Sequence, residues 1–460
     1  MYQISMDQPC HVHFIGIGGI SMSGIARILL SRGFAVSGSD THESALTRSL
    51  QEQGAQIRFG QRADNIPADT DVVVYTAAIH PDNPEYAGVV SRGLPMLTRA
   101  ELLGQVMTAY DEAINIAGTH GKTTTTSLIS EVMLEAGMDP TISVGGILPA
   151  IGGNIRVGGE HYFVAEACEY TNSFLSFHPT AEVILNVEAD HLDFFKDIND
   201  IRHSFRRFAE LLPENGLLVI NRGIRDLSYF TEGLKCRVIT FGWDADSDYS
   251  AKDITYDEYA HPSFTVVKKG VGEAGRVSLH IPGEHNILNA LAALALCDHY
   301  GIPMAAIEKG ISNFTGTERR FERKGAWNGV TVIDDYAHHP QEITATLKAA
   351  LRCPHKNLWC VFQPHTYTRT KALMDDFAKA LSLADKVVLA KIFPARETDT
   401  LGISADDVRK KVEALGKPAW YFASFEEIEA FLREHCVPGD LLITMGAGDV
   451  YKVGDDLLKN

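Results

Sequence analysis

The chain has 460 residues, enough for about three domains of ordinary size, and it is 45% hydrophobic and 22% charged. That composition is typical of a globular protein and excludes disordered, collagen-like and disulfide-scaffold chains. The 42 basic and 59 acidic residues give a formal net charge of −17, which disfavours binding to nucleic acid or to an anionic membrane.

The seven cysteines and the N-terminus indicate the compartment. The cysteines are odd in number, scattered in spacing and without a CxxC pair, so we expect reduced thiols and no zinc site. The first residues lack the basic-then-apolar run of a secretory signal, and no run of about 18 apolar residues is present. The sequence therefore predicts a cytoplasmic protein that does not span a membrane.

Short β-rich runs alternate with helical patterns along most of the chain, which predicts parallel sheets with helices on both faces. The predicted strands are His11–Ile17, Phe34–Val36, Asp71–Tyr75, Ala113–Ala117, Tyr162–Ala165, Ala181–Val187, Gly216–Ile220, Cys236–Phe241, Val330–Ile333, Leu358–Phe362, Lys386–Leu389 and Leu441–Thr444. The clearest predicted helices are Met22–Leu30, Lys122–Ala136 and His285–His299. Residues 248–281 break the rhythm and predict an antiparallel meander at a sheet edge. We expect domains over 1–109, 110–317 and 318–460.

The strongest functional signal is the segment Gly118–Thr124, GTHGKTT, which follows an apolar strand and opens a helix. A glycine-rich loop in that position directs backbone N–H groups at an anion, and Lys122 reaches phosphate oxygens. Thr123 offers a hydroxyl to a phosphate-bound Mg²⁺. Only two residues separate the glycines, where the general P-loop has four. The alternative is a glycine-rich turn beside a surface lysine.

A second glycine-rich turn, with Gly16, Gly18 and Gly19, follows the first predicted strand and allows the backbone to approach a phosphate. Asp40 ends the next strand, where an acid often meets a ribose. Ser21 stands where a dinucleotide fingerprint has glycine. The turn alone therefore leaves open a nicotinamide dehydrogenase or a tight turn without a ligand, although a dehydrogenase leaves the second phosphate loop unexplained.

Polar side chains follow two strands beyond the phosphate loop. Glu166 ends one of them, and Asp190 and His191 follow the next. Ligands of doubly wound sheets lie at such strand ends. A carboxylate with a neutral imidazole can hold Mg²⁺ beside ATP phosphates, although Mg²⁺ prefers oxygen. Structural polar residues with satisfied hydrogen bonds are the alternative.

The C-terminal third carries two further strand-end segments, Asp334–Pro340 and Phe362–Thr370. Their carboxylates, aromatic rings and imidazoles suit contacts to ribose, base and phosphate, and Arg369 suits a bidentate contact to a carboxylate. Either Arg319 or Arg320 suits the charge of a transferring phosphoryl group. Solvated loops with helix caps are the alternative.

Together these segments resemble the Mur ligases, a family of ATP-dependent amide ligases of bacterial cell-wall precursor synthesis. The resemblance rests, in family order, on HFIGIGG (13–19), GTHGKTTTT (118–126), NVEADHLD (186–193), GEHNILNALAA (283–293), RRFE (319–322), DDYAHHP (334–340), FQPHTYTRT (362–370) and MGAGDV (445–450). It implies a three-domain α/β architecture: a Rossmann-like N-terminal domain for a UDP-sugar, a central P-loop ATPase domain with a parallel sheet and a small antiparallel sheet, and a Rossmann-like C-terminal domain.

Within the family, the motifs are most similar to the branch that joins L-alanine to the lactyl carboxylate of UDP-N-acetylmuramate. The resemblance implies that ATP, with Mg²⁺, phosphorylates this carboxylate and that the amine attacks the acyl phosphate through a tetrahedral intermediate. It implies small-molecule partners and a monomer or homodimer. One alternative is the branch that attaches a preformed tripeptide to the same sugar nucleotide. Another is an inactive relative that acts as a binding module.

The resemblance also implies site residues, carried over by motif. The catalytic residues are Lys122, Glu166, His191 and Arg320. The ATP-binding residues are Gly118, Thr119, His120, Gly121, Lys122, Thr123, Thr124, Asn286, Asn289, Arg320, Asp335 and His338. The residues for the UDP-sugar are Gly16, Gly18, Gly19, Ser39, Asp40 and Thr76, and those for the amino acid are Tyr336, His365 and Arg369. The metal ligands are Thr123, Glu166 and His191. The chain departs from the family pattern at Ile20, Ser21, Cys168 and Thr366.

Overall fold

A computed structural model describes residues 2–76, 79–191, 194–395 and 397–459. The chain divides into two compact units. The first unit comprises Met1–Tyr249 and Ala292–Gly310, and the second comprises Ser250–Leu291 and Ile311–Asn460. Within the described residues, no helix has the length and apolarity required to cross a bilayer.

The N-terminal part of the first unit is a parallel sheet flanked by helices. Its strands are β1 (His11–Ile15), β2 (Ala35–Asp40), β3 (Gln56–Phe59), β4 (Val72–Tyr75) and β5 (Met96–Thr98). Its helices are α1 (Ile20–Ser31), α2 (Ala45–Glu52), α3 (Pro84–Arg92) and α4 (Arg99–Met107). The strand order is β3-β2-β1-β4-β5, with every neighbouring pair parallel. The order reverses beside β1, so the turn after this strand lies at the switch point where doubly wound sheets bind ligands.

The second sheet of this unit carries the predicted phosphate loop. Its strands are β6 (Glu112–Ala117), β7 (Thr141–Leu148), β8 (Gly153–Arg156), β9 (Tyr162–Glu166), β10 (Ala181–Ile184), β11 (Leu217–Asn221) and β12 (Arg237–Phe241). The helices that follow are α5 (Lys122–Glu135), α6 (Ile198–Ala209), α7 (Ser228–Thr231), α8 (His285–His299) and α9 (Met304–Asn313). The strand order is β8-β7-β9-β6-β10-β11-β12. The ends of β6, β9 and β10 are therefore adjacent, because β6 pairs in parallel with both of the others.

The meander predicted for residues 248–281 is confirmed. It consists of β13 (Tyr249–Tyr256), β14 (Pro262–Lys268) and β15 (Gly272–Ser278), which are successive neighbours in the sheet order, with β15 at the edge. The pairing of β14 with β15 is antiparallel and contains a bulge at Val266 and Val267.

The C-terminal part of the second unit is a third sheet. Its strands are β16 (Glu322–Trp327), β17 (Val330–Asp335), β18 (Leu358–Phe362), β19 (Lys386–Leu389), β20 (Ala419–Tyr421) and β21 (Leu441–Met445). Its helices are α10 (Pro340–Ala350), α11 (Tyr367–Ala372), α12 (Met374–Leu381), α13 (Ala405–Ala414), α14 (Phe425–His435) and α15 (Tyr451–Leu458). The order is β16-β17-β21-β18-β19-β20, with only the β16–β17 pair antiparallel among the pairs described. The ends of β17 and β18 thus flank that of β21.

Every predicted strand is present, but two are shorter than expected. The first ends at Ile15, because Gly16 and Ile17 leave the ladder and donate their N–H groups to the Ser39 carbonyl, both at 2.9 Å. The strand β10 ends at Ile184, because Asn186 turns towards the phosphate loop. Sequence analysis did not identify β3, β5, β7, β8, β16 and β20, which are short, polar or glycine-containing.

Candidate active site

The phosphate loop runs from the end of β6 to the start of α5. Gly118 has φ +149° and Gly121 has φ +86°, a region that L side chains rarely adopt. A Cβ on Gly118 would also lie 2.9 Å from the Cβ of Leu185. The first N–H groups of α5 have no partner inside the helix, and the helix dipole adds positive charge there. This loop therefore has the local structure of an anion site.

Lys122 is held inside this loop. Its Nζ lies 2.9 Å and 3.3 Å from the two carboxylate oxygens of Glu169, and it also donates to the carbonyls of Gly118 and Thr119. Burial lowers the pKa of Lys122, but Glu169, Cys168 and Glu166 outweigh burial and leave its pKa raised. The ammonium is therefore charged, and the alternative of a surface lysine is wrong.

Glu169 is a site residue that sequence analysis missed. Its side chain is only 3% exposed, and besides Lys122 it faces His191, whose Nε2 lies 3.9 Å from Oε1. A second carboxylate three residues after Glu166 was the available signal, but the sequence does not show which of the two turns towards the lysine. The buried pair joins the phosphate loop to the predicted metal side of the site.

The predicted metal ligands lie on three neighbouring elements. Thr123 is buried in the first turn of α5, and Glu166 ends β9, where its Oε1 accepts the N–H of Gly145 at 2.5 Å. His191 has φ +52° and packs its ring on Tyr170, with the centroids 4.6 Å apart. The described residues contain no cluster of three or more His, Cys, Asp or Glu side chains suited to a metal. A hydroxyl and a carboxylate do fit Mg²⁺, which keeps few protein ligands and takes phosphate and water oxygens.

The first glycine turn is ordered by Asp40, the predicted ribose contact. One oxygen of Asp40 accepts the N–H of Gly18 at 2.8 Å, and the other accepts the N–H of Thr41 at 2.7 Å. A Cβ on Gly18 would lie 2.7 Å from this carboxylate, so glycine permits the close approach. Gly19 immediately precedes α1 and leaves that helix without a side-chain cap.

Ser39 and Thr76, two predicted sugar-nucleotide residues, follow this turn in the sequence and lie near the ends of β2 and β4. The Ser39 hydroxyl is fully buried and donates to Glu85 at 2.5 Å, so it faces the interior, and only its backbone contacts the turn. The methyl group of Thr76 would lie 3.8 Å from a Cβ on Gly16.

In the second unit, the two arginines of RRFE have different environments. Arg319 donates from Nε to Asp334 at 3.0 Å and from Nη2 to the Gly446 carbonyl at 2.6 Å. The guanidinium of Arg320 lies over the ring of Tyr336, 5.3 Å from its centroid, and no hydrogen bond or ion pair of this side chain is found within the described residues. The guanidinium of Arg319 is thus engaged in bonds within the protein, and that of Arg320 is available to a ligand.

Asp335 organises the backbone around Arg320. Its two oxygens accept the N–H groups of Phe321 and Ala337, each at 2.8 Å. Burial raises the pKa of Asp335 to about 6, although the Arg320 charge and both backbone donors act in the opposite direction. Asp335 is therefore a buried acid that holds the residue after Arg320 and the residue after Tyr336.

A row of rings connects the predicted ATP side of this unit with the predicted amino-acid side. Tyr336 meets His338 edge-on at 5.4 Å, and His338 meets His365 at 5.7 Å. His365 stacks on Phe393, and its Nδ1 is buried without a hydrogen-bond partner among the described residues. Burial, together with His338 and Arg369, lowers the pKa of His365 to about 4, so the imidazole is neutral at pH 7.

Asn286 and Asn289, the predicted adenine contacts, bond to each other at the start of α8. The Nδ2 of Asn289 donates to Oδ1 of Asn286 at 2.9 Å, and Nδ2 of Asn286 donates to the Pro282 carbonyl at 2.7 Å.

The predicted site residues fall into two groups. The structure places Lys122, Glu166 and His191 on adjoining strand ends of one unit. In the other unit, Arg320 precedes β16, Asp335 ends β17 and is followed by Tyr336 and His338, and His365 and Arg369 follow β18.

Family models match three consecutive parts of the chain. The model for the Mur ligase family catalytic domain matches residues 11–111, the Mur ligase middle domain matches 116–297, and the Mur ligase glutamate ligase domain matches 319–448. The chain belongs to the Mur ligase family. The predicted resemblance and the three-domain α/β architecture of this family are confirmed.

Full-length relatives support the same assignment. The chain is 63% identical to a UDP-N-acetylmuramate–L-alanine ligase of Lachnospira eligens and 57% identical to one of Agathobacter rectalis, each over 100% of both chains. Among solved Mur ligases, a UDP-N-acetylmuramate–alanine ligase from Thermotoga maritima is 29% identical with a TM-score of 0.82 over 98% of both chains. A murein peptide ligase from Psychrobacter arcticus is 25% identical with a TM-score of 0.71 over 98% of both chains.

Proposed function

We propose that this Mur ligase joins L-alanine to the lactyl carboxylate of UDP-N-acetylmuramate at the expense of ATP. The observation that carries the ATP-dependent step is the buried Lys122–Glu169 pair at the phosphate loop, beside Glu166 and His191. The choice of acceptor and donor is supported by the full-length relatives that carry this activity in their names.

We assign the sugar nucleotide to residues 1–109, ATP to residues 110–317 and the amino acid to residues 318–460. Gly16, Gly18 and Gly19 then present backbone to the pyrophosphate, and Asp40 holds that turn. The reaction needs small molecules only, and we propose a monomer or homodimer. The seven free thiols, all in described residues, support a reducing cytoplasm.

The first step is transfer of the γ-phosphoryl group of ATP to the lactyl carboxylate. The N–H groups of α5 and the Lys122 ammonium bind the phosphates and offset their charge. Thr123, Glu166 and His191 would hold Mg²⁺, which supplies further charge neutralisation when bound. We assign Arg320 to the γ-phosphate, Asp335 and His338 to ATP as well, and Asn286 and Asn289 to adenine.

The second step is attack of the amine of L-alanine on the acyl phosphate, with loss of phosphate from the tetrahedral intermediate. Arg369 binds the amino-acid carboxylate, and Tyr336 and His365 line the same pocket. Because His365 is neutral at pH 7, it adds no positive charge opposite the ammonium group of the incoming amino acid.

The test is phosphate release from Mg²⁺-ATP with UDP-N-acetylmuramate, with L-alanine, glycine, L-serine or the tripeptide as acceptor. We expect release that requires both the sugar nucleotide and L-alanine. Release only with the tripeptide would assign the chain to the murein peptide ligase activity named for the Psychrobacter arcticus structure. Release with none of the acceptors would contradict the proposal.

A further inference from the structure

Asn186, beyond the end of the neighbouring strand β10, is hydrogen-bonded to the phosphate loop; we call this set of bonds the clasp. Its Oδ1 accepts the N–H of His120 at 2.8 Å, and its Nδ2 donates to the carbonyl of the same residue at 3.0 Å. Its own carbonyl accepts the N–H of Thr119 at 3.2 Å. One side chain therefore satisfies both backbone groups of His120.

Glu188 extends this clasp. Its N–H donates to the Thr119 hydroxyl at 2.9 Å, that hydroxyl donates to the Glu188 carbonyl at 3.4 Å, and its carboxylate lies 3.5 Å from Nε2 of His120. His191 follows three residues later. The loop and the segment that leads to the predicted metal side are thus joined by a continuous set of hydrogen bonds.

The clasp decides which loop groups remain for phosphate. The N–H groups of Thr119 and His120 point at Asn186, so the donors left for an anion are those at the start of α5, beginning with Gly121. A loop with two residues between its glycines has little backbone of its own to hold this shape. A neighbouring strand end supplies the missing bonds.

We infer that Asn186 is a positioning residue that holds the loop Gly118–Gly121 in its phosphate-binding conformation. The inference rests on the proposed ATP site and adds the residue that preorganises it. Without the amide, the backbone of His120 loses both partners and the loop samples other conformations. The consequence is weaker nucleotide binding rather than a changed chemical step, because Asn186 acts through the loop.

Asn221 provides a matched control. It is the last residue of β11, the next strand in the sheet, and it also bonds the backbone with both amide atoms: Nδ2 donates to the Leu185 carbonyl at 2.9 Å and Oδ1 accepts the Gly223 N–H at 2.8 Å. No described bond of its side chain reaches the phosphate loop. The two asparagines differ in what they hold, not in the kind of bonds they form.

The experiment compares Asn186→Ala, Asn186→Asp and Asn221→Ala in the full chain. Binding of Mg²⁺-AMP-PNP is measured by calorimetry, and backbone amide exchange is followed over residues 118–121. We expect Asn186→Ala to weaken binding by about tenfold or more, as loss of a supporting partner commonly does, and to speed exchange at Thr119 and His120. Asn186→Asp keeps the acceptor for the N–H of His120, so its affinity for Mg²⁺-AMP-PNP should lie between those of Asn186→Ala and the unchanged chain.

Asn221→Ala should bind Mg²⁺-AMP-PNP as the unchanged chain does, even if both alanine variants melt earlier. Equal binding by Asn186→Ala and Asn221→Ala would overturn the inference. If Asn186→Ala does not fold, unchanged binding and exchange in Asn186→Asp would overturn it instead. If the unchanged chain binds no Mg²⁺-AMP-PNP, the proposed function fails, and the exchange rates at Thr119 and His120 still decide whether the clasp exists.

Discussion

The two adjacent arginines of RRFE should separate stability from activity. Arg319 is bonded to Asp334, whose side chain is 1% exposed, and to the Gly446 carbonyl. Arg319→Gln leaves that buried carboxylate without its charge partner, which costs about 3–5 kcal/mol in the free energy of unfolding. The Arg320 side chain lies on the face of Tyr336 and acts on Asp335 only through its charge, so Arg320→Gln should cost about 0.5–1 kcal/mol.

Arg320→Gln should reduce kcat more than Arg319→Gln does, the reverse of their order in stability. Arg320→Gln removes a cation assigned to the transferring phosphoryl group, and we expect kcat to fall about 100- to 1000-fold. Arg319→Gln should retain most of its turnover in the fraction that stays folded. The assay is phosphate release with UDP-N-acetylmuramate and L-alanine, combined with urea unfolding of each variant.

The cost of Arg319→Gln should also depend on pH. Burial already raises the pKa of Asp334, with Thr444 and Arg319 acting against it. Loss of Arg319 raises the pKa of folded Asp334 further above that of the unfolded chain. Protonation of Asp334 then contributes to the free energy of unfolding at low pH, and this contribution is lost as pH rises through the folded pKa. Relative to the unchanged chain, Arg319→Gln should therefore be less destabilised at pH 5 than at pH 8. Equal destabilisation by the two arginine variants, or full turnover in Arg320→Gln, would refute the assignment.

Three further variants test the phosphate loop and the sheet beneath it. Glu169→Gln removes the charge that holds Lys122, so kcat measured by phosphate release should fall and urea unfolding should show a loss of about 3–5 kcal/mol; an unchanged kcat would contradict the role given to Glu169. Gly118→Ala adds strain at φ +149° and a 2.9 Å contact, and thermal unfolding should show a loss of about 1–3 kcal/mol. Glu182 is buried, and neither of its oxygens has a partner among the described residues. Burial raises its pKa well above the usual range, so its contribution to stability is lost as pH rises. Glu182→Gln should therefore gain urea stability over the unchanged chain more at pH 8 than at pH 5; a pH-independent difference would argue against a buried proton.

Local sequence patterns predicted most of the fold because they follow from burial. The strand β18 is a continuous apolar run, and β17 and β21 are mostly apolar before their ends, as expected for strands covered on both faces; all three were identified. The edge strands β3 and β20 were missed because they have only four and three residues, too few to establish a periodic pattern. The last two residues of NVEADHLD, Leu192 and Asp193, lie outside the described residues.

The sequence by itself located the glycine-rich loop between β6 and α5 and predicted that it binds phosphate, because glycines, a lysine and threonines between a strand and a helix have few other uses. It also determined which strand ends carry polar groups. Only the tertiary structure decided that Glu169 rather than Glu166 pairs with Lys122. Likewise, only the structure shows that Arg319, and not Arg320, forms an ion pair with Asp334. These outcomes depend on which side chains from separate parts of the chain meet, because a charge in a buried site is stable only beside a partner. The partners are more than ten residues apart in the sequence, so local patterns do not pair them.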